Sequence, residues 1–284
     1  MVPLTYIKMT SAVLLLNVMS VFAAEQTGGL VIGIAPFLPV KTLVQNYAPL
    51  RDYLEIKLNE PVTIVSAPDY KTYYKSIQKH DYEIVITNAS SAYVAYTDYA
   101  YTPLLQPLNF THPVVVIGKD QKLTDLTELR DKTIAMSDAT AIVSMQGLQM
   151  LREFGLQPGR DVSIKNMQNH SAAVNYVITG EVDAAIVSDR ALMQMPATIK
   201  DKVKIVYTWE QGAAPGIVYM GSPKLSGDSL KLISKSILEF VRDTPAGKKM
   251  MLDTGYGGLI PVKPEDLQAL APYGILLKES LSEK

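Results

Sequence analysis

Small polar residues cluster at three points where a predicted strand gives way to a predicted helix. These segments are Asn88–Ser91, Ser137–Ala141 and Asn169–Ser171. Hydroxyls and backbone N–H groups at helix N-termini bind anions, and the loops after parallel strands meet at one edge of a sheet. The pattern therefore predicts an anion site. A second interpretation, equally open, is that these residues only cap their helices.

Two larger side chains stand beside these segments. Tyr70 follows a predicted strand and would bring its hydroxyl to the same edge; the alternative is a tyrosine that packs on the protein surface. His170 precedes the helix predicted at 171–179, where an imidazole would donate to a ligand oxygen; the alternative is an ordinary surface histidine. Asp138 lies in the second segment and is expected to cap the helix predicted at 141–154.

Composition excludes several classes of function. The 284 residues include 27 Lys and Arg against 28 Asp and Glu, so no basic field attracts nucleic acid or anionic lipid. The absence of cysteine and the presence of only three histidines argue against disulfides, thiolate chemistry and a histidine-rich metal site. No nucleophile elbow, zinc-protease motif or P-loop occurs. We therefore expect no catalytic residues, no metal, no cofactor and no nucleic-acid partner.

The N-terminal residues 1–24 have the features of a secretory signal peptide. Lys8 supplies positive charge, an apolar run covers 12–22, and Ala23 and Ala24 are typical of a cleavage site. The alternative, a membrane anchor, needs about 20 apolar residues, which is far more than this run offers. The sequence therefore predicts export to the periplasm by a cleavable signal. Without cysteine, a lipoprotein is not expected.

Short apolar runs typical of strands alternate with helical patterns along the rest of the chain. A first β-α series covers 30–96 and a second covers 114–207, and the chain ends in helices predicted at 227–242, 245–253 and 265–271. This alternation predicts parallel strands with helices on both faces of each sheet. If the last helices pack on the first sheet, the second series is an insertion, reached and left by two crossing segments.

The predicted fold class is therefore α/β with two lobes. Each lobe holds a mixed, mainly parallel sheet flanked by helices, and a double-strand hinge joins them. The first lobe is discontinuous and covers 25–110 and 211–284, whereas the inserted second lobe covers 111–210.

Six short strings of the sequence, taken together, carry a family resemblance. They are G-I-A-P at 33–36, Y-A-P-L-R-D-Y-L at 47–54, A-P-D-Y at 67–70, L-T-E-L-R-D-K-T-I-A at 126–135, N-H-S-A-A at 169–173 and G-E-V-D-A-A at 180–185. In this order they resemble the phosphate/phosphite/phosphonate-binding proteins of bacterial ABC importers, over residues 30–256. The resemblance implies a type II periplasmic-binding fold, in which two α/β lobes close over a small ligand.

The resemblance also implies particular ligand contacts. Tyr70 and His170 match the tyrosine and histidine with which the family contacts its ligand. Ser137–Ala141 takes the place of the family's anion loop, in which only Thr140 keeps a hydroxyl at the core of the motif.

Three positions depart from the family pattern. Thr111 stands where phosphonate binders place a tyrosine at the first hinge crossing. Arg190 stands in place of an acidic residue that can hold a ligand amino group, and a second acidic position falls near Pro215. We therefore expect a simple anion rather than an aminoalkylphosphonate, and Arg190 would favour an anion if it points into the cleft. The predicted ligand contacts are Tyr70, Asn88, Ser90, Thr111, Ser137, Thr140, Ala141, His170 and Arg190.

These observations predict an exported solute-binding protein without catalysis. It would close around a small anionic solute, similar to phosphate, phosphite or phosphonate, and deliver it to the permease of an ABC importer. The alternative is a periplasmic sensing subunit for a membrane sensor kinase or cyclase, since both functions use the same closure. An enzyme built on the same fold is a third hypothesis. The family default is a monomer.

Overall fold

The computed structural model of the protein describes residues 29–282, and the predicted signal peptide at 1–24 lies outside the described residues. Besides its α-helices and strands, the described part of the chain contains short 3₁₀ helices at Leu126–Leu129 and Glu210–Gly212. In chain order the elements are β1 (Leu30–Ile34), α1 (Val40–Leu58), β2 (Val62–Ser66), α2 (Tyr70–Gln78), β3 (Ile84–Thr87), α3 (Ala89–Tyr99), β4 (Thr102–Pro107), β5 (Pro113–Gly118), β6 (Thr133–Met136), α4 (Ile142–Glu153), β7 (Ser163–Asn166), α5 (His170–Ile178), β8 (Ala184–Ser188), α6 (Asp189–Met193), α7 (Ala197–Lys200), β9 (Val203–Thr208), β10 (Val218–Gly221), α8 (Gly227–Asp243), α9 (Pro245–Thr254), β11 (Leu259–Pro261), α10 (Pro264–Gln268) and α11 (Ala271–Ser282).

The strands form two mixed sheets. One sheet has the order β11-β4-β10-β3-β1-β2 and the other has the order β7-β6-β8-β5-β9. Strands that belong to β-α units pair in parallel, as β1 does with β2 and β3, and as β6 does with β7 and β8. Strands β5 and β10, which adjoin the passages between the sheets, pair antiparallel with both neighbours. The predicted two-lobed α/β fold with mixed sheets flanked by helices is confirmed.

The chain passes between the sheets twice, through 108–112 and 209–217. The two passages are bonded to each other, because Thr111 N–H donates to the Ala214 carbonyl (2.8 Å) and Ala214 N–H donates to the Thr111 carbonyl (3.1 Å). The hinge is therefore a pair of adjacent extended segments. The predicted lobe boundaries stay a prediction, since strand membership alone does not define which flanking segments move with each lobe.

Strand β5 shows how deeply the second sheet is buried. Val114 and Val116 face one apolar cluster, whereas Val115 and Ile117 face another, which also contains Trp209. A strand buried on both faces reads as a continuous apolar run, which is why it was readily predicted. Within residues 29–282, no helix combines the length and the apolar character needed to cross a membrane.

Five elements had no counterpart in the sequence prediction, namely β4, α6, α7, β11 and α11. Strand β4 contains Pro103 and Pro107, and prolines obscure a strand pattern because they cannot donate to the ladder. Helix α11 follows α10 after a short break, whereas the sequence predicted a single helix at 265–271; Pro272 in its first turn is tolerated because an N–H there needs no helical partner. Helix α11 packs on α3, where Gly274 meets the ring of Tyr93.

The junction of α8 and α9 offers a test of this packing. A Cβ on Gly247, in the first turn of α9, would lie 1.9 Å from the Phe240 carbonyl oxygen. Backbone cannot yield as a flexible side chain does, so Gly247→Ala should lower the free energy of unfolding by about 1–3 kcal/mol in urea titrations. Gly227→Ala, in the first turn of α8, is the matched control, because no atom lies within 4 Å of its Cβ position. Equal losses in both variants would contradict the expectation.

Candidate ligand-binding site

A cavity of about 30 Å³ lies between the two sheets, where the loops after several strands meet. This volume has room for on the order of two water molecules. Both lobes and both passages contribute to its wall. The lining residues are Ala35, Phe37, Tyr70, Asn88, Thr111, Ala141, Ile142, Val143, His170, Ser188, Ala191, Gly216, Ile217 and Tyr256.

The lobes meet around this cavity. The His170 N–H at the start of α5 donates to the Phe37 carbonyl after β1 (3.2 Å). Farther out, the Asn46 side chain of α1 donates to the Gln194 side chain (3.4 Å). These bonds join elements of different sheets, so the structure has the lobes in contact.

Asn88 combines a helix cap with a free donor. Its Oδ1 accepts the Ser91 N–H (2.9 Å) and the Ser90 hydroxyl (2.7 Å), which fixes the start of α3. Only the oxygen of the amide can accept, so Nδ2 faces the other way. Nδ2 is buried and has no hydrogen-bond partner among the described residues. Capping and ligand binding, which the sequence left as alternatives, are therefore compatible at Asn88.

Helix α4 presents bare backbone donors to the same cavity. Its N-cap is Ala141, whose methyl group cannot accept a hydrogen bond. The N–H groups of Ile142 and Val143 find no acceptor within residues 29–282, and both residues line the cavity. Because the helix has 12 residues, its aligned peptide dipoles make this end electropositive.

His170 is neutral at physiological pH. Burial lowers its pKa from 6.5 to about 4, and its Nδ1 has no hydrogen-bond partner in the described part of the chain. A neutral imidazole offers one donor and one acceptor. His170 is therefore equipped to donate to a ligand without bringing a charge.

Tyr70 reaches the cavity from the opposite lobe, as the first residue of α2. Burial raises the pKa of its hydroxyl, and the nearby Asp138 carboxylate and Tyr256 raise it further. Tyr70 is therefore a protonated phenol at every physiological pH, and its O–H can donate.

Thr111 lines the cavity but has no free proton to offer. Its hydroxyl donates to the Asp189 carboxylate (2.6 Å) and lies 2.6 Å from the Ser188 hydroxyl. Since the Thr111 proton is committed to Asp189, Ser188 donates to Thr111. Ser188 in turn accepts the Ala191 N–H that begins α6 (3.1 Å). This chain of bonds fastens the first passage to the second lobe.

Three of the predicted hydroxyl contacts lie beside the cavity rather than in its wall. The Ser90 hydroxyl is committed to Asn88, and the buried Ser137 lies 3.1 Å from a hydroxyl inside α4. Thr140 donates its N–H (2.9 Å) and its hydroxyl (2.6 Å) to Asp138. Asp138 thus closes a turn before α4 and does not cap the helix, contrary to expectation.

Arg190 points away from the cavity. Its Nε donates to the Phe110 carbonyl in the first passage (3.3 Å), and its Nη1 lies 3.4 Å from the Met193 sulfur. The neighbouring Asp189 carboxylate is 3.7 Å from Nε. The structure therefore brings Tyr70, Asn88, Thr111, Ala141 and His170 together, and leaves Arg190 outside.

The sequence reasoning missed most of the apolar wall. Ile142 and Val143 directly follow the predicted anion segment, so their backbone could have been found from it. Phe37 and Ile217 give no local signal, and Tyr256 comes from the return of the chain to the first lobe. Only the complete fold places these side chains.

The unpartnered polar groups named above are mostly donors. None of the lining residues carries a carboxylate or a cationic side chain. Within the described residues, no group of three or more His, Asp or Glu side chains could hold a metal ion. Neutral donors and a helix N-terminus suit a small oxyanion.

Comparison with known proteins decides the family. The model of a family described as "ABC transporter, phosphonate, periplasmic substrate-binding protein" matches residues 32–267. The chain belongs to this family. The resemblance found in the sequence is confirmed, and with it the solute-binding role that defines these periplasmic proteins. The sequence matches no curated protein at a significant level.

Solved structures share the fold of this phosphonate-binding family member. A binding protein component of an ABC phosphonate transporter from Pseudomonas aeruginosa is 14% identical with a TM-score of 0.75, over 88% of this chain and 86% of that one. PhnD1 from Prochlorococcus marinus, in complex with methylphosphonate, is 13% identical with a TM-score of 0.74, over 88% and 98%. XAC2383 from Xanthomonas citri, bound to chloride, is 18% identical with a TM-score of 0.67, over 88% and 99%. At such identities the likeness shows the fold alone.

The low pKa of His170 can be measured directly. In a ¹³Cε1 NMR titration, its imidazole should move through no more than about a tenth of its full shift between pH 8 and pH 5 and should titrate near pH 4, with His170→Gln assigning the resonance. The folded pKa lies below the unfolded one, so the stability due to the neutral ring is present above pH 6.5 and is lost as the pH falls towards 4. A titration midpoint of His170 at or above pH 6 would contradict the burial of its imidazole.

Proposed function

We propose that this protein binds a small oxyanion similar to phosphonate, phosphite or phosphate in the interlobe cavity and delivers it to an ABC importer. One observation carries the proposal: the free polar groups of the cavity are mostly donors, namely Asn88 Nδ2 and the N–H groups at the start of α4, and no carboxylate lines it. A site of that composition stabilises an acceptor-rich ligand and disfavours a cationic one.

Both lobes would contribute donors. Asn88 Nδ2 and the Tyr70 hydroxyl come from the first lobe, whereas His170 and the N–H groups at the start of α4 come from the second. A ligand held from both sides favours the arrangement in which the lobes meet, because only that arrangement offers all the contacts. Since the cavity has only about 30 Å³, the lobes must separate to admit the ligand.

Charge compensation would come from backbone rather than from a side chain. The N-terminus of α4 faces the cavity, and α3 and α5 also begin at its wall. Apolar contacts from Phe37, Ile142 and Ile217 suit a ligand with a small alkyl group. We therefore expect methylphosphonate or phosphite to bind better than 2-aminoethylphosphonate, whose ammonium group would find no partner. The structural neighbour in complex with methylphosphonate supports this choice.

The family supports a periplasmic location and an importer as partner. Its members are periplasmic substrate-binding proteins of ABC transporters, which favours transport over the sensing alternative and over an enzyme. We propose that residues 1–24 direct export, that the ligand contacts include Tyr70, Asn88 and His170, and that the protein acts as a monomer. The partner would be the permease of an importer.

A panel of ligands tests the proposed class. Thermal unfolding of the purified protein should shift upward with methylphosphonate or phosphite and less with 2-aminoethylphosphonate, because the cavity lacks a carboxylate. A ligand at 100 times its dissociation constant stabilises by about 2.7 kcal/mol, which such an experiment detects. Phosphate, sulfate and acetate complete the panel. A preference for the aminoalkyl compound, or no shift with any phosphorus oxyanion, would exclude this ligand class.

A pair of variants tests which residues face the anion. Asn88→Asp keeps the oxygen that caps α3 but replaces the free donor with a carboxylate, so methylphosphonate affinity should fall by about 100-fold or more in calorimetry. Arg190→Ala changes the net charge by the same amount, yet it should alter affinity by less than about threefold, because Arg190 lies outside the cavity. If Arg190→Ala lowers the affinity for methylphosphonate as much as Asn88→Asp does, the Arg190 cation rather than the neutral donors recognises the ligand.

A further inference from the structure

A second concavity, here called the hinge groove, lies outside the interlobe cavity and shares no lining residue with it. Its volume is about 650 Å³. Helices α8 and α9 and the loop at 255–259 form its walls, and Asn109 of the first passage and Met193 of α6 complete it. A volume in this range is typical of small-molecule sites.

Large apolar side chains are exposed to solvent in and around the hinge groove. Leu252 on α9 is 77% exposed and Met193 is 39% exposed. Leu108 (56% exposed) and Phe110 (38% exposed) flank Asn109 in the chain but do not line the groove. Exposed apolar side chains grouped around a concavity mark an interaction site more often than chance.

The charges of the hinge groove are all of one sign. Its lining includes Arg242 and Lys248 and no carboxylate. Arg242 is paired with Asp243 (2.7 Å), and Lys248 acts on the same carboxylate, because both cations lower the pKa of Asp243. The Lys248 ammonium makes no hydrogen bond or direct ion pair of its own among residues 29–282, so two cations share one carboxylate at this rim. Lys248 and Leu252 are four residues apart on α9, so this ammonium and the exposed apolar side chain lie next to each other on one helix face.

We propose that the hinge groove binds an amphiphilic monoanion, a free alkyl carboxylate of medium chain length. The alkyl chain would lie against Leu252 and Met193, where it removes apolar surface from water. The carboxylate would pair with Lys248, which lines the groove and has no direct ion pair in the described part of the chain. A cationic or zwitterionic amphiphile would lack this complement.

An occupant of the hinge groove would touch both lobes. Met193 belongs to the element that follows β8 of the second sheet, and it meets α9 of the first lobe at Gly255, where a Cβ would lie 2.7 Å from the Met193 sulfur. A ligand bound across this contact favours the arrangement in which the lobes meet. By linkage it should raise, and not compete with, the affinity of the interlobe cavity for its own ligand.

Calorimetric titration of the purified protein with decanoate, below its micellisation concentration, tests the proposal. We expect saturable binding at one site. Leu252→Asp and Lys248→Glu should each weaken it by at least about tenfold, through the apolar wall and the charge respectively. Leu276→Asp, at a 46% exposed leucine on α11, and Lys41→Glu, at an exposed lysine on α1, are matched controls that should retain it. 1-Decanol should bind about tenfold more weakly, because it lacks the charge.

Several results would overturn the proposal. One is that decanoate shows no saturable binding, another is that the two control variants lose as much decanoate affinity as the groove variants, and a third is that 1-decanol binds as tightly as decanoate. Competition between decanoate and methylphosphonate for binding would also contradict the proposal. A dimer seen by sedimentation that Leu252→Asp abolishes, without decanoate binding, would assign the hinge groove to a second copy of the chain instead. Asn88→Asp should leave decanoate binding unchanged, so failure of the cavity proposal and failure of this one are distinguishable.

Discussion

Buried donors without acceptors are the constraint around which the interlobe site is built. A buried polar group that lacks a partner costs about 1–3 kcal/mol. The interlobe cavity holds such donors at Asn88 Nδ2 and at the bare N–H groups that begin α4, and the unpartnered His170 imidazole lies beside them. The fold tolerates them because each sits at a strand end or a helix start that the sheets fix in place. An oxyanion in the cavity would accept hydrogen bonds from several of these donors at once. It would remove the free-energy cost of leaving the donors unpaired when the lobes meet, and this favours binding.

The neutrality of these donors shapes selectivity. A cationic side chain would attract every anion, whereas neutral donors in fixed positions bind most tightly a ligand whose acceptors match those positions. The protein keeps its cations elsewhere: Arg190 is held against the first passage, and Asp189 balances it. Because Ser188 donates its proton to Thr111 and Thr111 donates its own to Asp189, only the remaining donors are free to bind the ligand. Recognition therefore depends on geometry more than on net charge.

The sequence predicted those features that local patterns encode. Strand ends followed by helix starts located Asn88, His170 and Tyr70. The alternation of strands and helices predicted the two-lobed fold, and the family resemblance agreed with both. Arg190 could not be placed in this way, because its direction is set by the Phe110 carbonyl, 80 residues away in the chain. Tyr256 was missed for a similar reason, since it reaches the cavity only after the chain has returned to the first lobe. Positions that depend on long-range packing carry no local signal.

The first passage links the two binding surfaces. Thr111 lines the interlobe cavity, and Asn109, two residues earlier, lines the hinge groove. The backbone between them accepts a bond from Arg190 of the second lobe, while Asn109 N–H donates to the Tyr256 carbonyl of the first lobe (3.0 Å). A change in the angle between the lobes must therefore alter both surfaces together. A ligand that binds one surface more tightly in one arrangement of the lobes will therefore change the affinity of the other surface. The size of this change is limited by the difference between that ligand's affinities for the two arrangements.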